Sequence, residues 1–350
     1  MMFATFFATL SCSYATVLRF CSLCVCSLSD VELNVSLFRQ RTFQTPAGFC
    51  LLGIWARLFS ARKPESSDEV LKLISSARVL VTDKKYEEAA EVLHEALKKA
   101  QEQNDQNAIN YIYDFLANIY YYLGDLEKAK AVFIDLMSRL LSSGTPKTDC
   151  SIVEISLKLA DIYVQEGDLE KAEAGFKFCV ETQKRNVEQA EQAFLAVDTF
   201  GKKSIDIYAL YGMVLETYAG FLVSTSRVEE GVECINRALE LAREVYSPLH
   251  PQIVTILNNF GCKCLQHRHF ETAKRYISEA VKRAQMISEL AHRLPSYYCN
   301  YAEALWHCGE QALALETTKK AAKVAEELKD EETLSRVNEY LASLVADVSR

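Results

Sequence analysis

Gly124-Asp-Leu-Glu-Lys-Ala129 and Gly167-Asp-Leu-Glu-Lys-Ala172 are one hexapeptide written twice, 43 residues apart. Four further segments share its plan of a turn, an apolar residue, polar residues and a small residue. They are Lys84-Lys-Tyr-Glu-Glu-Ala89, Ser226-Arg-Val-Glu-Glu-Gly231, Arg268-His-Phe-Glu-Thr-Ala273 and Gly309-Glu-Gln-Ala-Leu-Ala314. Their third residues stand at 86, 126, 169, 228, 270 and 311, in steps of 40, 43, 59, 42 and 41. A recurrence of this length marks one supersecondary unit stacked on copies of itself.

The flanks of each turn say what the unit is. Tyr113, Leu116, Ala117 and Tyr120 precede the second turn at helical spacing, and Ala129, Phe133 and Leu136 follow it. The third turn has Leu159, Ala160 and Tyr163 before it, and Ala172, Phe176 and Cys179 after. The fifth repeats the plan with Leu257, Phe260, Gly261 and Cys264, then Ala273, Ile277 and Ala280. Small residues at the crossing (Ala117, Ala160, Gly261, Ala302 and the Ala after a turn) let two antiparallel helices approach closely. Larger ones fill the space between hairpins.

This is the tetratricopeptide-repeat plan with a period lengthened from the usual 34 residues. The expected fold is all-α: a right-handed tetratricopeptide-type solenoid of about six helix hairpins over 64–350, covered by a C-terminal capping helix at 330–346. The step of 59 leaves an excess around 181–205 that reads as extra helix, with a disordered insert as the alternative. Ser247-Pro-Leu-His-Pro251, with Ile256-Leu-Asn-Asn-Phe260 after it, resembles kinesin-light-chain-type repeats.

Composition fits. Twelve Gly and six Pro in 350 residues argue against a turn-rich β domain, and a net charge of −8 argues against a general nucleic-acid binder. Residues 1–63 stand apart. They hold Arg19, Arg39, Arg41, Arg57, Arg62 and Lys63 against Asp30 and Glu32, a net of +4, so the rest carries −12. An acid-poor front on an acidic body reads as an address segment, and the Arg-bearing, acid-free run Leu37–Phe43 suits a mitochondrial transit peptide better than a secretory signal. The apolar stretch 47–59, interrupted by Arg57, is short of the roughly 20 residues that span a bilayer. It is either a short anchor or the apolar face of an import helix. Most of the body's seven cysteines lie in helical patterns, and the set reads as reduced, buried thiols.

No phosphate loop, nucleophile elbow or His-Glu-x-x-His pair occurs, so no catalytic residue and no cofactor is expected. Cys262, Cys264, His267 and His269 invite a zinc reading. On a helix the two thiols point about 200° apart, which does not suit one tetrahedral ion. The usable surface is then the one lined by the first helix of each hairpin. Its inward positions are Tyr111, Asp114, Asn118, Tyr121 and Tyr122, then Glu154, Leu157 and Asp161, then Glu216 and Asn258. Aromatics there offer rigid contact area, and the acids select a ligand that sets basic residues beside apolar ones.

Ile152-Val-Glu-Ile-Ser-Leu-Lys-Leu-Ala-Asp-Ile-Tyr163, with Tyr111–Asn118 and Ala174–Val180, narrows the match. It resembles the mitochondrial tetratricopeptide repeat protein 19 family over most of 70–345. The resemblance implies a non-enzymatic protein of the mitochondrial inner membrane that binds subunits of respiratory complex III. It further implies support for that complex's assembly and upkeep, including clearance of Rieske-subunit fragments. The alternative is a cytosolic peptide-binding adaptor of kinesin-light-chain or co-chaperone type. Oligomeric state is not readable from the sequence.

Overall fold

A computed structural model of the chain describes residues 66–197 and 202–348. The leader reading of 1–63 and the apolar stretch 47–59 lie outside the described residues. Thirteen α-helices fill the described part: α1 (Asp68–Thr82), α2 (Tyr86–Glu102), α3 (Gln106–Leu123), α4 (Leu126–Ser142), α5 (Cys150–Glu166), α6 (Leu169–Val197), α7 (Lys202–Ser224), α8 (Val228–Val245), α9 (Pro251–Gln266), α10 (Phe270–Ala284), α11 (Leu294–His307), α12 (Gln311–Glu327) and α13 (Glu331–Val348). A 3-10 turn, Ser288–Arg293, precedes α11. No strand occurs among the described residues. The excess at 181–205 is helical wherever it is described: α6 runs on to Val197, and α7 begins at Lys202.

The chain divides into two compact units, with the boundary between Phe178 and Cys179. In the first, each helix from α1 to α5 packs on the next. In the second, each helix from α7 to α13 does the same, and alternate helices also touch: α7 with α9, α9 with α11, and α11 with α13. Helix α13 thus stands where the first helix of a further hairpin would, which is how a repeat array covers its last apolar face.

The six repeated hexapeptides are the six hairpin turns, and one device makes all of them. Lys84, Gly124, Gly167, Ser226, Arg268 and Gly309 open the hexapeptides, and all six adopt left-handed φ values of 63° to 83°. The next residue's N–H reaches back five positions: Lys85 to the Leu80 carbonyl, Asp125 to Tyr120, Asp168 to Tyr163, Arg227 to Leu222, His269 to Cys264 and Glu310 to Leu305, at 2.8–2.9 Å. This is the Schellman stop, which satisfies carbonyls left open at a helix end. Some helix starts are capped by side chains. Asp105, Asp125 and Asp168 accept from the backbone N–H three residues on, at 3.0–3.2 Å. His250 Nδ1 accepts from the Gln252 N–H at 3.1 Å, with Pro251 at the first helical position.

Three of the six stops carry a side chain in a conformation that costs an L-residue about 1–2 kcal/mol. Glycine at Lys84, Ser226 or Arg268 will therefore raise stability by about 0.5–1 kcal/mol per site, once the larger unfolded-state entropy of Gly is subtracted. Urea midpoints of the single variants measure this; an unchanged or lower midpoint at all three would contradict it.

Close approach behind the turns rests on small residues, as their spacing implies. Ala117, Ala129, Ala160, Ala172, Ala273, Ala302 and Ala314 are at most 1% exposed. At Gly175 an added Cβ would lie 2.9 Å from Ala160 Cβ, and at Gly261 it would lie 2.3 Å from Ile277 Cγ1. Phe133, Leu136, Ile155 and Ile162 build the core of the first unit, and Phe260, Cys264, Ile277 and Leu305 belong to the larger core of the second. The seven body cysteines are thiols outside any disulfide; Cys179, Cys262, Cys264 and Cys299 are buried, and Cys150, Cys234 and Cys308 are half-buried. Burial pushes the thiols of Cys179, Cys262 and Cys264 up to about 12, so they stay protonated as packing groups. In α7 the stretch Asp206–Ser224 has the length and hydropathy of a membrane span, but it is 61% buried among its neighbours, as a core helix is.

Candidate protein-binding surface

The ten inward positions fall on α3 and α5 in the first unit and on α7 and α9 in the second. Their placement corrects the expectation that they line an open surface. Tyr111, Asp114, Asn118, Glu154, Leu157 and Asn258 are all buried, none more than 7% exposed. Tyr121, Tyr122, Asp161 and Glu216 remain partly exposed.

The physical reason is that polar groups on neighbouring first helices face one another and bond. In the first unit, Lys158 Nζ donates to Asn118 Oδ1, and the Tyr121 hydroxyl donates to Asp161. Gln165 Nε2 also donates to Asp161, at 2.9 Å. Arg78 on α1 donates to the Tyr111 hydroxyl, and Tyr122 packs its ring 4.6 Å from that of Tyr86. In the second unit, Asn259 Nδ2 donates to Glu216 Oε1 at 3.0 Å and Asn300 Nδ2 to Asn258 Oδ1 at 3.1 Å. The Tyr340 hydroxyl on the capping helix donates to Glu303 Oε2 at 2.6 Å.

Four of these bonds join residues 40 to 43 apart, the repeat period itself. Polar types recurring at that interval were the available signal. The inward positions include one end of three of these pairs and both ends of Tyr121–Asp161, and all were expected to contact a ligand. Lys158 was not among them, although it carries the electrostatics of the first unit. Its ammonium sits near the rings of Tyr121 and Phe133, 6.0 and 5.9 Å from their centroids. Burial lowers its pKa, against the pull of Glu154, Asp114 and Asp161. Tyr121 is raised well above the usual phenol value, by burial first and the Asp161 carboxylate second.

Substitution of Asp114 by Lys is therefore a core change. It will cost stability, because Asp114 is 4% exposed.

Glu216 is different. Burial raises its carboxyl pKa, and only the Asn259 hydrogen bond acts the other way. A raised carboxyl favours the fold when protonated. Its contribution is complete below the unfolded value of about 4.3 and is lost as pH rises through the folded value. Glu216→Gln, which mimics the protonated form, will gain on the order of 1 kcal/mol at pH 7–8 and show little difference near pH 4. Denaturant titrations of both proteins across that range test the sign; a destabilised Gln variant at pH 8 would refute it.

The zinc-like set does not assemble. Cys262 is buried and Cys264 belongs to the core, while His267 is on the outside. Among the described residues no three His, Cys, Asp or Glu side chains converge on a common point. Of the inward positions, Tyr121, Tyr122, Asp161 and Glu216 keep some surface.

Comparison with known proteins agrees on the architecture. Profiles described as tetratricopeptide repeat match residues 111–138 and 210–286. A profile described as anaphase-promoting complex subunit 5 matches 65–121 and 267–347. The mouse protein named tetratricopeptide repeat protein 19, mitochondrial, is 31% identical over 281 residues, covering 80% of this chain and 76% of that protein. The human protein of the same name is also 31% identical, over 80% of this chain and 73% of its own. Among solved structures, a signal transduction ATPase with a tetratricopeptide repeat sensor from Pyrococcus horikoshii superposes with a TM-score of 0.51. It is 18% identical and matches 89% of this chain and 42% of that one. At that identity the likeness concerns the fold alone.

Proposed function

Since the chain belongs to the family of mitochondrial tetratricopeptide repeat protein 19, we propose that it is a non-enzymatic mitochondrial scaffold. On this reading it sits at the inner membrane and supports assembly and upkeep of respiratory complex III, including clearance of fragments of the Rieske subunit. The observation that carries the reading is the 31% identity over most of both chains, on top of a hairpin array. Arrays of this kind hold other polypeptides on their surfaces. The acidic body, −12 outside the first 63 residues, fits a partner that sets basic groups beside apolar ones.

Import of the full chain into isolated mitochondria, followed by carbonate extraction and purification through a C-terminal tag, tests each part. The expected result is a protected chain retained with membranes and copurifying with complex III subunits. A chain that stays outside the organelle and copurifies with cytosolic partners would overturn the reading in favour of a cytosolic adaptor.

A further inference from the structure

Of the 47 Asp and Glu in the chain only two precede residue 64, yet residues 245–270 hold none. The end of that acid-free run carries Lys263, His267, Arg268 and His269, four basic side chains within seven residues. They occupy the last turn of α9 and the stop that joins it to α10. The acidic body thus carries, in its second unit, a turn of the opposite sign.

The fold does not consume these side chains. The open carbonyls at the end of α9 are met by backbone: the N–H groups of His267, Arg268 and His269 donate to the carbonyls of Lys263, Leu265 and Cys264 at 3.2, 3.0 and 2.8 Å. Among the described residues neither Lys263 nor Arg268 forms an ion pair, and the surrounding acids are engaged elsewhere. Glu271 of this turn and Glu310 of the next hold Lys274 at 2.8 and 2.9 Å, and Glu230 beside the preceding turn holds Arg227 at 2.7 Å. Arg268 stands exposed at the left-handed position, with φ 65°. The Lys263 stem lies across α7, where a Cβ added at Gly220 would be 3.8 Å from its Cγ and Cε. His267 registers the local field. Partial loss of water lowers its pKa to about 4, Lys263 and His269 push the same way, and no carboxylate opposes them.

The net charge of the body selects among anionic partners. A broad anionic surface would meet the −12 of the body together with this turn and be repelled. A short run of carboxylates touches the turn alone. Arginine pairs a carboxylate bidentately, and the lysine five residues earlier supplies a second cation.

We propose that the α9–α10 turn docks a short acidic segment of a partner polypeptide, with Asp or Glu carboxylates on Arg268 and Lys263. The proposal rests on the protein-binding reading above and adds a second polarity to it: beside the basic and apolar groups that suit the acidic body, the partner carries an acidic stretch. Patches of opposite sign on one body fix the register of a partner.

With ring-labelled histidine, His267 and His269 report on the turn in the full chain, and His94 in the first unit is the control. The chain is titrated with acetyl-Ala-Glu-Asp-Glu-Asp-Ala amide and with the uncharged acetyl-Ala-Gln-Asn-Gln-Asn-Ala amide. Inorganic phosphate and phosphatidylcholine vesicles containing phosphatidylglycerol are the other two arms. The expected result is a saturable shift of His267 and His269 with the acidic peptide, a higher His267 pKa in its presence, and an at least tenfold weaker response to the other three. Added salt will weaken the peptide, and His94 will not move. The double variant Lys263→Gln/Arg268→Gly, whose glycine suits the left-handed position, will unfold at no lower a urea midpoint and will bind the peptide at least tenfold more weakly. An equal response to the uncharged peptide, to phosphate or to the vesicles overturns the proposal, and so does undiminished binding by the double variant. The scaffold reading fails by a separate measurement, the absence of any copurifying partner of the tagged chain.

Discussion

Replacing Gly261 with leucine will unfold the α9–α10 hairpin. A Cβ alone at this position would lie 2.3 Å from Ile277 Cγ1 and 3.3 Å from the Ala273 carbonyl oxygen. The first neighbour is a fully buried side chain inside the larger core, and the second is backbone of the facing helix. Neither can move aside without separating the two helices. Overfilling of a packed core costs about 1–3 kcal/mol for modest additions. Leucine adds three more carbons where the first already collides, so a loss of about 3 kcal/mol or more is expected. Alanine will show the same effect in milder form. Ile277→Ala, which removes Cγ1, will offset part of it, so the Gly261→Ala/Ile277→Ala double variant will lose less than the two singles summed. Thermal unfolding of the four proteins closes the cycle. Strict additivity would mean that the hairpin separates freely and that the contact at Gly261 does not hold it.

Lys158→Met will be the second severe change. Methionine matches the stem in length and keeps its contact with the Phe133 and Tyr121 rings, so lost packing is small. What is lost is the cation among Glu154, Asp114 and Asp161, the first two of which are 4% exposed. Asn118 loses its donor as well. Removing one side of a buried charge arrangement typically costs about 3–5 kcal/mol, because the groups left behind keep their desolvation penalty. A second change, Asp114→Asn, removes one of the stranded carboxylates and will recover part of the loss. If Lys158→Met falls within about 0.5 kcal/mol of the parent protein in a urea titration, the buried ammonium carries no such role.

These two residues also show how far the sequence could be read. Gly261 was legible. It occupies the crossing position that alanine holds in other hairpins, and the structure puts it against the helix that follows the turn. The six turns were legible for the same reason: hexapeptides at a near-constant interval report a local backbone event, and here each begins with a residue in the left-handed region. Lys158 was not legible. Helical periodicity tells which face a residue occupies, but not whether the next hairpin turns an opposing polar group toward it. Asp114, Glu154 and Asn258 were assigned to the right helices with the wrong exposure, because the distance between adjacent first helices is a property of the stack and not of one helix.

The bonds between neighbouring first helices differ in chemistry from junction to junction. One couples lysine to asparagine, another asparagine to glutamate, a third asparagine to asparagine, and the last joins glutamate to a tyrosine of the capping helix. Modules built to a common plan could in principle be assembled in any order, or with one skipped. Here each described seam carries a different polar pair, so the succession of modules is marked by unlike fasteners. A chain with two modules exchanged would keep every helix and every turn, yet would set mismatched polar groups against each other at the seams.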